Sequence, residues 1–384
     1  MIAVVVELFS DICLATAALG CLYLLVAAAA VLRFPRARTS DTIGNPAAEP
    51  VTILKPLRGG EPDLLRRLVG FCRQDYPGPV QVVCGVCDRA DRAVGLIEFI
   101  RARYAAVDLV IDSRRHGLNP KVSNLINMLP YARHDIVILA DSDIDVGEDY
   151  VRKIVAALRK PGVGAVSCLY RGIASAGLWS RLSALAINSH FLPNAVLAIS
   201  FGLTEPCFGA SLALRRSTLR RIGGFDAFKD MLADDNAIGQ AVRAIGLAVT
   251  IPEFVVGHVC HASSYRELLA HDLRVARTIK SVDRIGYYGL IVTHPFALAL
   301  LAVPHAGADA AMMAALAFAC RVALCLCVEQ VFKLDMQRYW LIPLRDVLSF
   351  ATFVWGLFGN SVSWRGATYH VTGDGRLAAD RRHA

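Results

Sequence analysis

The sequence predicts an α/β protein, a mainly parallel sheet with helices on both faces, carried on N-terminal and C-terminal transmembrane helices. Three observations predict it. The 384 residues are 55% hydrophobic and only 19% charged, with a mean hydropathy of +0.45, too apolar for a wholly water-soluble chain. The charged residues concentrate between Arg33 and Arg284, so the middle of the chain can form a water-facing domain with its own core. Within that middle, short β-branched or apolar runs alternate with helix-like stretches, the pattern of a parallel sheet covered on both sides.

Residues 12–32 are almost unbroken apolar chain and meet the roughly 20 residues that a bilayer-spanning helix needs. The preceding segment carries Glu7 and Asp11 and no Lys or Arg, unlike a signal peptide, whose apolar stretch is also shorter. Arg33, Arg36 and Arg38 come at once after it, and the positive-inside rule then puts the N-terminus outside and the chain beyond Arg33 in the cytoplasm, as for a protein of a bacterial-type inner membrane. Residues 1–34 thus form an anchor, 35–50, with Pro, Ser, Thr, Asn and Gly, a linker, 51–285 the cytoplasmic domain, 286–363 the C-terminal membrane segments and 364–384 a tail.

Three apolar runs close the chain, 287–303, 308–332 and 339–362. The second contains Arg321 and the third Arg345 and Asp346, ionisable groups that at membrane depth face protein or water rather than lipid. Arg365, Arg376, Arg381 and Arg382 favour a cytoplasmic tail, which three full spans would not allow. One run is therefore expected to be interfacial or re-entrant, with the start of the third, Ile342-Pro343-Leu344-Arg345-Asp346, the candidate.

In the middle, runs 51–54, 80–86, 109–111 and 136–140 read as strands, and 62–72 and 91–105 as helices. Run 136–140 is all-apolar, as for a strand buried on both faces, and ends in Asp141, Asp143 and Asp145. Ligands of open α/β sheets bind beyond the carboxyl ends of strands. Clustered carboxylates there call for a hard divalent ion shared with substrate phosphates, which makes Asp141 and Asp143 candidate ligands for Mg2+ or Mn2+. Asp88 and Asp91 come after run 80–86, where a solvated turn accounts for them equally well. Asp234 and Asp235 open an amphipathic helix, as helix-start carboxylates or as a positioned general base. Lys121, after Pro120, is either a surface lysine or a cation for phosphates.

A charge of +8, from 41 Lys+Arg against 33 Asp+Glu, comes without a basic stripe interleaved with aromatics, so the expected partners exclude nucleic acid and include anionic lipid. Of the eleven cysteines, five lie in apolar runs, and Cys84 and Cys87, although spaced as CxxC, fall where a strand turns them to opposite faces.

Three aspartate motifs stand in order: Cys87-Asp88-Arg89-Ala90-Asp91-Arg92-Ala93, Asp141-Ser142-Asp143 and Asp234-Asp235. With them come Gln74-Asp75-Tyr76-Pro77, Gly117-Leu118-Asn119-Pro120-Lys121-Val122-Ser123-Asn124, His190, Gly209-Ala210-Ser211 and Ser363-Trp364-Arg365-Gly366. Over 51–375 this set resembles the ceramide glucosyltransferase family of membrane-bound, inverting GT-A glycosyltransferases, and among bacterial chains is most similar to those associated with hopanoid biosynthesis. The family's closing (Q/R)xxRW motif is matched only in part by His271-Asp272-Leu273-Arg274-Val275, with His first and Val for Trp, which removes a flat surface for the acceptor or against water.

The resemblance implies a GT-A nucleotide-sugar domain that transfers glucose or N-acetylglucosamine from a UDP-sugar donor to a lipid hydroxyl, on ceramide or a hopanoid polyol. Asp235 is then the base, with Asp234 beside it. Asp88 and Asp91 lie near uracil or ribose, and Lys121, Asp141, Arg274 and Arg277 near the diphosphate. His190 meets the acceptor, on a stretch, 178–203, that reads as an interfacial amphipathic element or a buried core helix. A prenyl-phosphate glycosyltransferase, a polysaccharide synthase and, outside enzymes, a catalytically silent membrane scaffold that keeps the nucleotide-binding fold are the competing readings.

Overall fold

Ten strands form from the apolar runs of the middle of the chain: β1 (Val51–Pro56), β2 (Val80–Val86), β3 (Val107–Ile111), β4 (Ile136–Ala140), β5 (Ile144–Asp145), β6 (Val163–Ser167), β7 (Leu169–Ala174), β8 (Ser211–Arg215), β9 (Ala248–Thr250) and β10 (Val255–Cys260). The computed structural model describes residues 2–34, 48–335, 338–359, 361–364, 367–372 and 375–379. Most of the expected linker, with Arg36 and Arg38, and Arg365, Gly366, Arg381 and Arg382 of the tail lie outside the described residues. The chain divides into two units: residues 41–175, 205–261 and 368–384 form one, and 1–40, 176–204 and 262–367 the other. Segments 176–204 and 262–285, read from sequence as part of one continuous domain, thus group with the membrane helices, because their apolar faces pack there.

The first unit holds a seven-stranded sheet in the order β3-β2-β1-β4-β8-β6-β9. Strands β3, β2, β1 and β4 are parallel, as is the pair β6 and β9, and β8 runs antiparallel between β4 and β6. Every residue of β4 is buried, and alternation decides which side each faces. Ile136, Ile138 and Ala140 join a cluster with Leu68, Phe71, Ile97 and Ile154. Val137 and Leu139 join the opposite one with Val122, Leu125, Leu219 and Ile238. A second sheet, β5-β10-β7, sits where β4 ends and pairs Ile144 with His258. Cys84 is buried in β2 and Cys87 exposed beyond it, so the CxxC is not assembled into one site.

The second unit is helical. Helix Ile2–Arg33 has 32 residues, about 48 Å at the α-helical rise, and turns Ala17, Leu24 and Val31 inward and Leu8, Leu19, Leu22 and Leu25 outward. Four helices are long and apolar enough to cross a membrane: Ala3–Arg33, Gly177–Ser200, Pro295–Phe332 and Tyr339–Leu357. The runs expected at 287–303 and 308–332 meet in the kinked helix Pro295–Phe332, whose two arms join at Gly307 three residues after Pro304, with 287–293 in shorter helical turns ahead of it. A proline that removes a donor and a glycine at φ 48° are sufficient cause for the kink. The segment read as interfacial, 342–346, is the regular first turn of helix Ile342–Leu357.

Its two charges are used inside protein. Arg321, fully buried, donates from Nε to Asp346 Oδ2 at 3.3 Å, from Nη1 to Ser189 O at 2.9 Å and from Nη2 to Thr293 O. Arg345 Nη2 lies 2.6 Å from Asp272 Oδ2. Removing one partner leaves a buried charge with nothing to offset its desolvation. Arg321→Met is therefore expected to lower the stability of the detergent-solubilised protein by about 3–5 kcal/mol, and the Arg321→Met/Asp346→Leu double variant to recover most of it. Equal melting temperatures for wild type and Arg321→Met would show that the pair is not desolvated.

Candidate active site

The site is built where β4 runs out. The Asp141 amide donates to Ala210 O at 3.2 Å and the Ile144 amide to Asp141 O at 3.2 Å, which turns the chain through Asp141-Ser142-Asp143. Three side chains hold that turn, two of them fully buried. Lys55, fully buried in β1, donates from Nζ to Asp141 O and lies over the Phe71 ring at 4.1 Å. Arg67, fully buried, donates from Nε to Ser142 O at 3.1 Å and from Nη2 to Glu61 Oε2 at 2.8 Å. Glu61 in turn accepts from Ser142 Oγ at 2.6 Å. Ser142 is thus gripped by both its backbone and its hydroxyl.

The second edge of the site comes from two helix starts. Asn119 precedes helix Pro120–Met128 and accepts the amides of Lys121 and Val122 on Oδ1, an N-cap with Pro at the first helical position. Its Nδ2 donates to Met231 O at 2.9 Å and to Asp234 Oδ1 at 3.3 Å. Asp234 and Asp235 form the first turn of helix Asp234–Ala244, where the helix dipole favours negative charge. Lys121 Nζ lies 2.8 Å from Asp141 Oδ1 and 3.6 Å from Asp234 Oδ2, so a single ammonium joins the second aspartate motif to the third. Gly209 lies against Asp235: a Cβ there would come within 2.8 Å of Oδ2.

The charges settle unequally. Burial opposes a positive Lys121, but Asp141 and Asp234 outweigh it and hold the ammonium protonated, above the ordinary lysine range. Burial pushes Lys55 down to about 8, which Asp143 and Asp141 only partly offset. Burial would raise Asp143, yet His258, then Lys55 and His261, hold its carboxyl well below the usual range. Asp235 goes the other way: burial and the like charge of Asp234 push it up to about 6, against Lys121 and the Asn236 amide.

Asp143 Oδ1 is buried and accepts no hydrogen bond, with His258 Nδ1 at 3.5 Å. Among the described residues no three His, Cys, Asp or Glu side chains gather to hold an ion by themselves. An orphaned carboxylate oxygen beside an imidazole fits an ion that takes its remaining ligands from substrate oxygens and water.

The structure brings Lys121, Asp141, Asp143, Asp234 and Asp235 together. Asp88 and Asp91 come after β2 in the same unit. Asp88 is exposed and accepts the Ala90 amide, whereas Asp91 accepts the Gly59 amide on both oxygens and the Ala93 amide on Oδ1, pinning the loop after β1. Arg274, Arg277 and His190 belong to the helical unit. Arg274 and Arg277 lie one turn apart on helix Tyr265–Val282, Arg277 donating to Ser361 O. His190 sits on a π-helical turn, Ile187–Phe191, with Nδ1 at 2.9 Å from Ser189 Oγ and Nε2 at 3.2 Å from Asp346 Oδ1.

Sequence reasoning missed His258, Lys55, Glu61 and Arg67. The signal for His258 was the alternation Val255-Val256-Gly257-His258-Val259-Cys260, in which Gly257 interrupts an otherwise clear strand. Glu61 and Arg67 carried none, since their partner is a backbone turn far along the chain.

The family model of glycosyl transferase family 21 matches residues 12–377. Ceramide glucosyltransferase of Candida albicans is 29% identical over 123 residues, 29% of this chain and 23% of that protein. Ceramide glucosyltransferase 1 of Caenorhabditis elegans is 20% identical over 210 residues, 54% of this chain and 45% of that protein. Beta-monoglucosyldiacylglycerol synthase of Synechocystis is 26% identical over 171 residues, 43% of this chain and 34% of that protein. The matched stretches span less than half the length of each of these relatives. Among solved structures, the mannosyltransferase PcManGT from Pyrobaculum calidifontis, determined with GDP-Man and Mn2+, aligns over 92% of this chain and 99% of its own with a TM-score of 0.54 at 22% identity, a likeness of fold. The fold is that of GT-A glycosyltransferases, and the chain belongs to glycosyl transferase family 21.

Proposed function

We propose that the protein transfers a hexose, glucose or N-acetylglucosamine, from a UDP-sugar to the hydroxyl of a membrane lipid, a ceramide or a hopanoid polyol, with inversion at the anomeric carbon. The observation that carries this reading, in a chain of glycosyl transferase family 21, is one acidic cluster in which Lys121 joins Asp141 to Asp234 and Asp143 keeps an orphaned oxygen beside His258, with Asp143 held ionised and Asp235 pushed up to about 6. Carboxylates in one site whose pKa values are pushed apart take different roles.

Asp235 is the base. A carboxyl near 6 is largely ionised at neutral pH and takes the acceptor proton more readily than an ordinary one near 4 as the new C–O bond forms. Asp234 stays paired to Lys121 and Asn119, which orients its neighbour. Asp143, with Asp141, would hold Mg2+ or Mn2+ together with substrate oxygens and water, and the ion would supply neutralisation of charge on the departing diphosphate, with His258 the counter-charge beside Asp143. Lys121 supplies a cation to the same oxygens. Asp88 and Asp91 border the nucleotide, Arg274 and Arg277 the diphosphate, and His190 the acceptor. The ceramide and diacylglycerol substrates named for the relatives support a lipid alcohol.

The protein is an integral membrane protein, with its catalytic unit on the cytoplasmic face. Two features support this placement, Arg33 at the end of the first helix and the basic tail, and the crossing count of the C-terminal half is consistent with both lying on one side. Residues 375–377 bond to residues 230–232 within the catalytic unit, so the chain between 262 and 367 crosses an even number of times. Helices Pro295–Phe332 and Tyr339–Leu357 supply two crossings. Helix Gly177–Ser200 leaves the catalytic unit after Ser175 and rejoins it at Glu205, and a single passage there would put one folded sheet on both sides of the bilayer.

Mass spectrometry of lipids from cells with no protein, wild type or Asp235→Asn tests the function. One glycolipid is expected with wild type alone, while purified Asp235→Asn keeps its UDP affinity and, relieved of a buried like charge, melts no lower than wild type. Near-normal glycolipid from Asp235→Asn would overturn the assignment of the base. The acid limb of the rate profile gives a second test. The base works deprotonated, so turnover falls as pH drops through about 6, and Lys121→Met, which removes a group that lowers the Asp235 pKa, shifts that limb to higher pH. An unmoved limb would separate Lys121 from the base.

A further inference from the structure

Beyond the last membrane helix the chain returns to the catalytic unit. Residues 369–371 pair antiparallel with 377–379, and Val371 and Leu377 are buried. The hairpin then adds to a loop of the catalytic site. The Leu377 amide donates to Asp230 O at 2.7 Å, the Leu232 amide donates to Gly375 O at 3.0 Å, and Met231 bridges Arg376 antiparallel.

That loop leads directly into Asp234-Asp235, and its other edge is tied to the segment that carries Lys121. Asp230 Oδ1 accepts the Leu118 amide at 2.8 Å, Lys229 O accepts the Asn119 amide at 2.8 Å, and Met231 O accepts Asn119 Nδ2 at 2.9 Å. Gly117 is pressed against this edge, where a Cβ would come within 2.6 Å of Asp230 Oδ1 and of Lys229 O. Residues 229–232 are therefore clasped from two sides, by 117–119 and by 375–377. Neither Asp230 nor Leu232 lies in a helix or in the seven-stranded sheet, so their backbone depends on this clasp rather than on a regular ladder.

We propose that the C-terminal hairpin is a positioning element of the transfer reaction: by fixing the backbone of residues 230–232 it sets the reach of Asp235 toward the acceptor hydroxyl, and so governs turnover rather than donor binding. The proposal rests on the reading of Asp235 as the base. A positioned base acts only within hydrogen-bond reach, and an error of about 1 Å in a reacting group costs on the order of a hundredfold in rate. The donor side, Asp141, Ser142 and Asp143, is held separately by Lys55, Arg67 and Glu61. Lys121 keeps its helix cap from Asn119 and its contact with Asp141, so loosening the hairpin acts first on the half of the site that carries Asp235.

The test uses the full-length protein in detergent with three variants. Leu377→Pro removes the amide that bonds Asp230 O and keeps an apolar side chain. Leu377→Val keeps both. Gly375→Ala, at a residue with φ 78°, strains the turn without touching its buried side chains. Leu377→Pro is expected to lower kcat by about tenfold or more, with UDP affinity measured by calorimetry within about twofold of wild type, and to speed amide hydrogen exchange across 229–235. Gly375→Ala should show smaller changes in the same direction and Leu377→Val close to none. Wild-type kcat and unchanged exchange in Leu377→Pro overturn the proposal, as does an equal loss of kcat and UDP affinity in all three variants. Should Leu377→Pro fail to fold, Gly375→Ala decides by the same split. A wild-type protein that makes no glycolipid would refute the reaction, while the exchange measurement would still report whether the hairpin holds the loop.

Discussion

A single ammonium makes the site possible. Lys121 stands between Asp141 and Asp234, 2.8 Å from one and 3.6 Å from the other, and without it four carboxylates from two distant stretches would repel across one cleft. Its position is set by the backbone, because Asn119 caps the helix that presents it and spends its remaining donor on Met231 and Asp234. The same asparagine that starts one helix therefore fixes the acids that start another. Asp143 relies on a different counter-charge, His258 on β10, and the two ends of Asp141-Ser142-Asp143 answer to different parts of the unit.

The membrane unit applies the same rule under harsher conditions. Arg321, Arg345, Asp346 and Asp272 are buried or nearly so and pair with one another or with backbone oxygens. In a helix that faces lipid on its other side, an ion left unpaired would expose its full desolvation cost, and pairing across helices is what lets the sequence keep charges there. These pairs also set helix register, since Arg321 reaches both Ser189 on the π-helical turn and Thr293 ahead of the long helix. The His190 ring, contacting Ser189 and Asp346, is fixed by the same group.

How much of this was legible in the sequence depended on distance along the chain. Strand β4 and the acids at its tip could be read because five apolar residues running straight into alternating carboxylates suit little except the end of an enclosed strand. Asp234-Asp235 could be read as a helix start for a similar local reason. The pairing of Lys121 could not, because a lysine after a proline looks the same on a surface as between two aspartates. His258 was hidden by Gly257, which breaks the strand pattern and where a Cβ would crowd the tip of the Ile173 side chain at 2.5 Å and Asp145 Cβ at 3.2 Å. The gap left between the runs ending at 303 and starting at 308 is where helix Pro295–Phe332 kinks, and neighbouring helices let such a kink persist at membrane depth. The pairing of 369–371 with 377–379 did have a local signal, Gly373-Asp374-Gly375 between apolar residues, but reading the segment as a basic tail passed it over.

A carboxyl near 6, the property proposed for the base, has to be unstable as an anion, and the surroundings of Asp235 supply the causes. Asp235 is partly buried, lies one residue from Asp234, and is denied the direct ammonium contact that Asp234 and Asp141 share. Its stabilisation is limited to the Asn236 amide at 2.8 Å and the more distant charge of Lys121. The folded state holds this proton more tightly than an unfolded chain would, so ionisation at neutral pH works against folding. Such a residue persists only where the surroundings over-determine it. Gly209 on one side, the Asn119 bond to Asp234 on another, and the clasp on residues 229–232 give Asp235 little freedom to swing toward water. The crowding that raises its pKa and the bonding that fixes its backbone are thus two parts of one requirement, since a strained carboxylate able to rotate into solvent would relax back to an ordinary value.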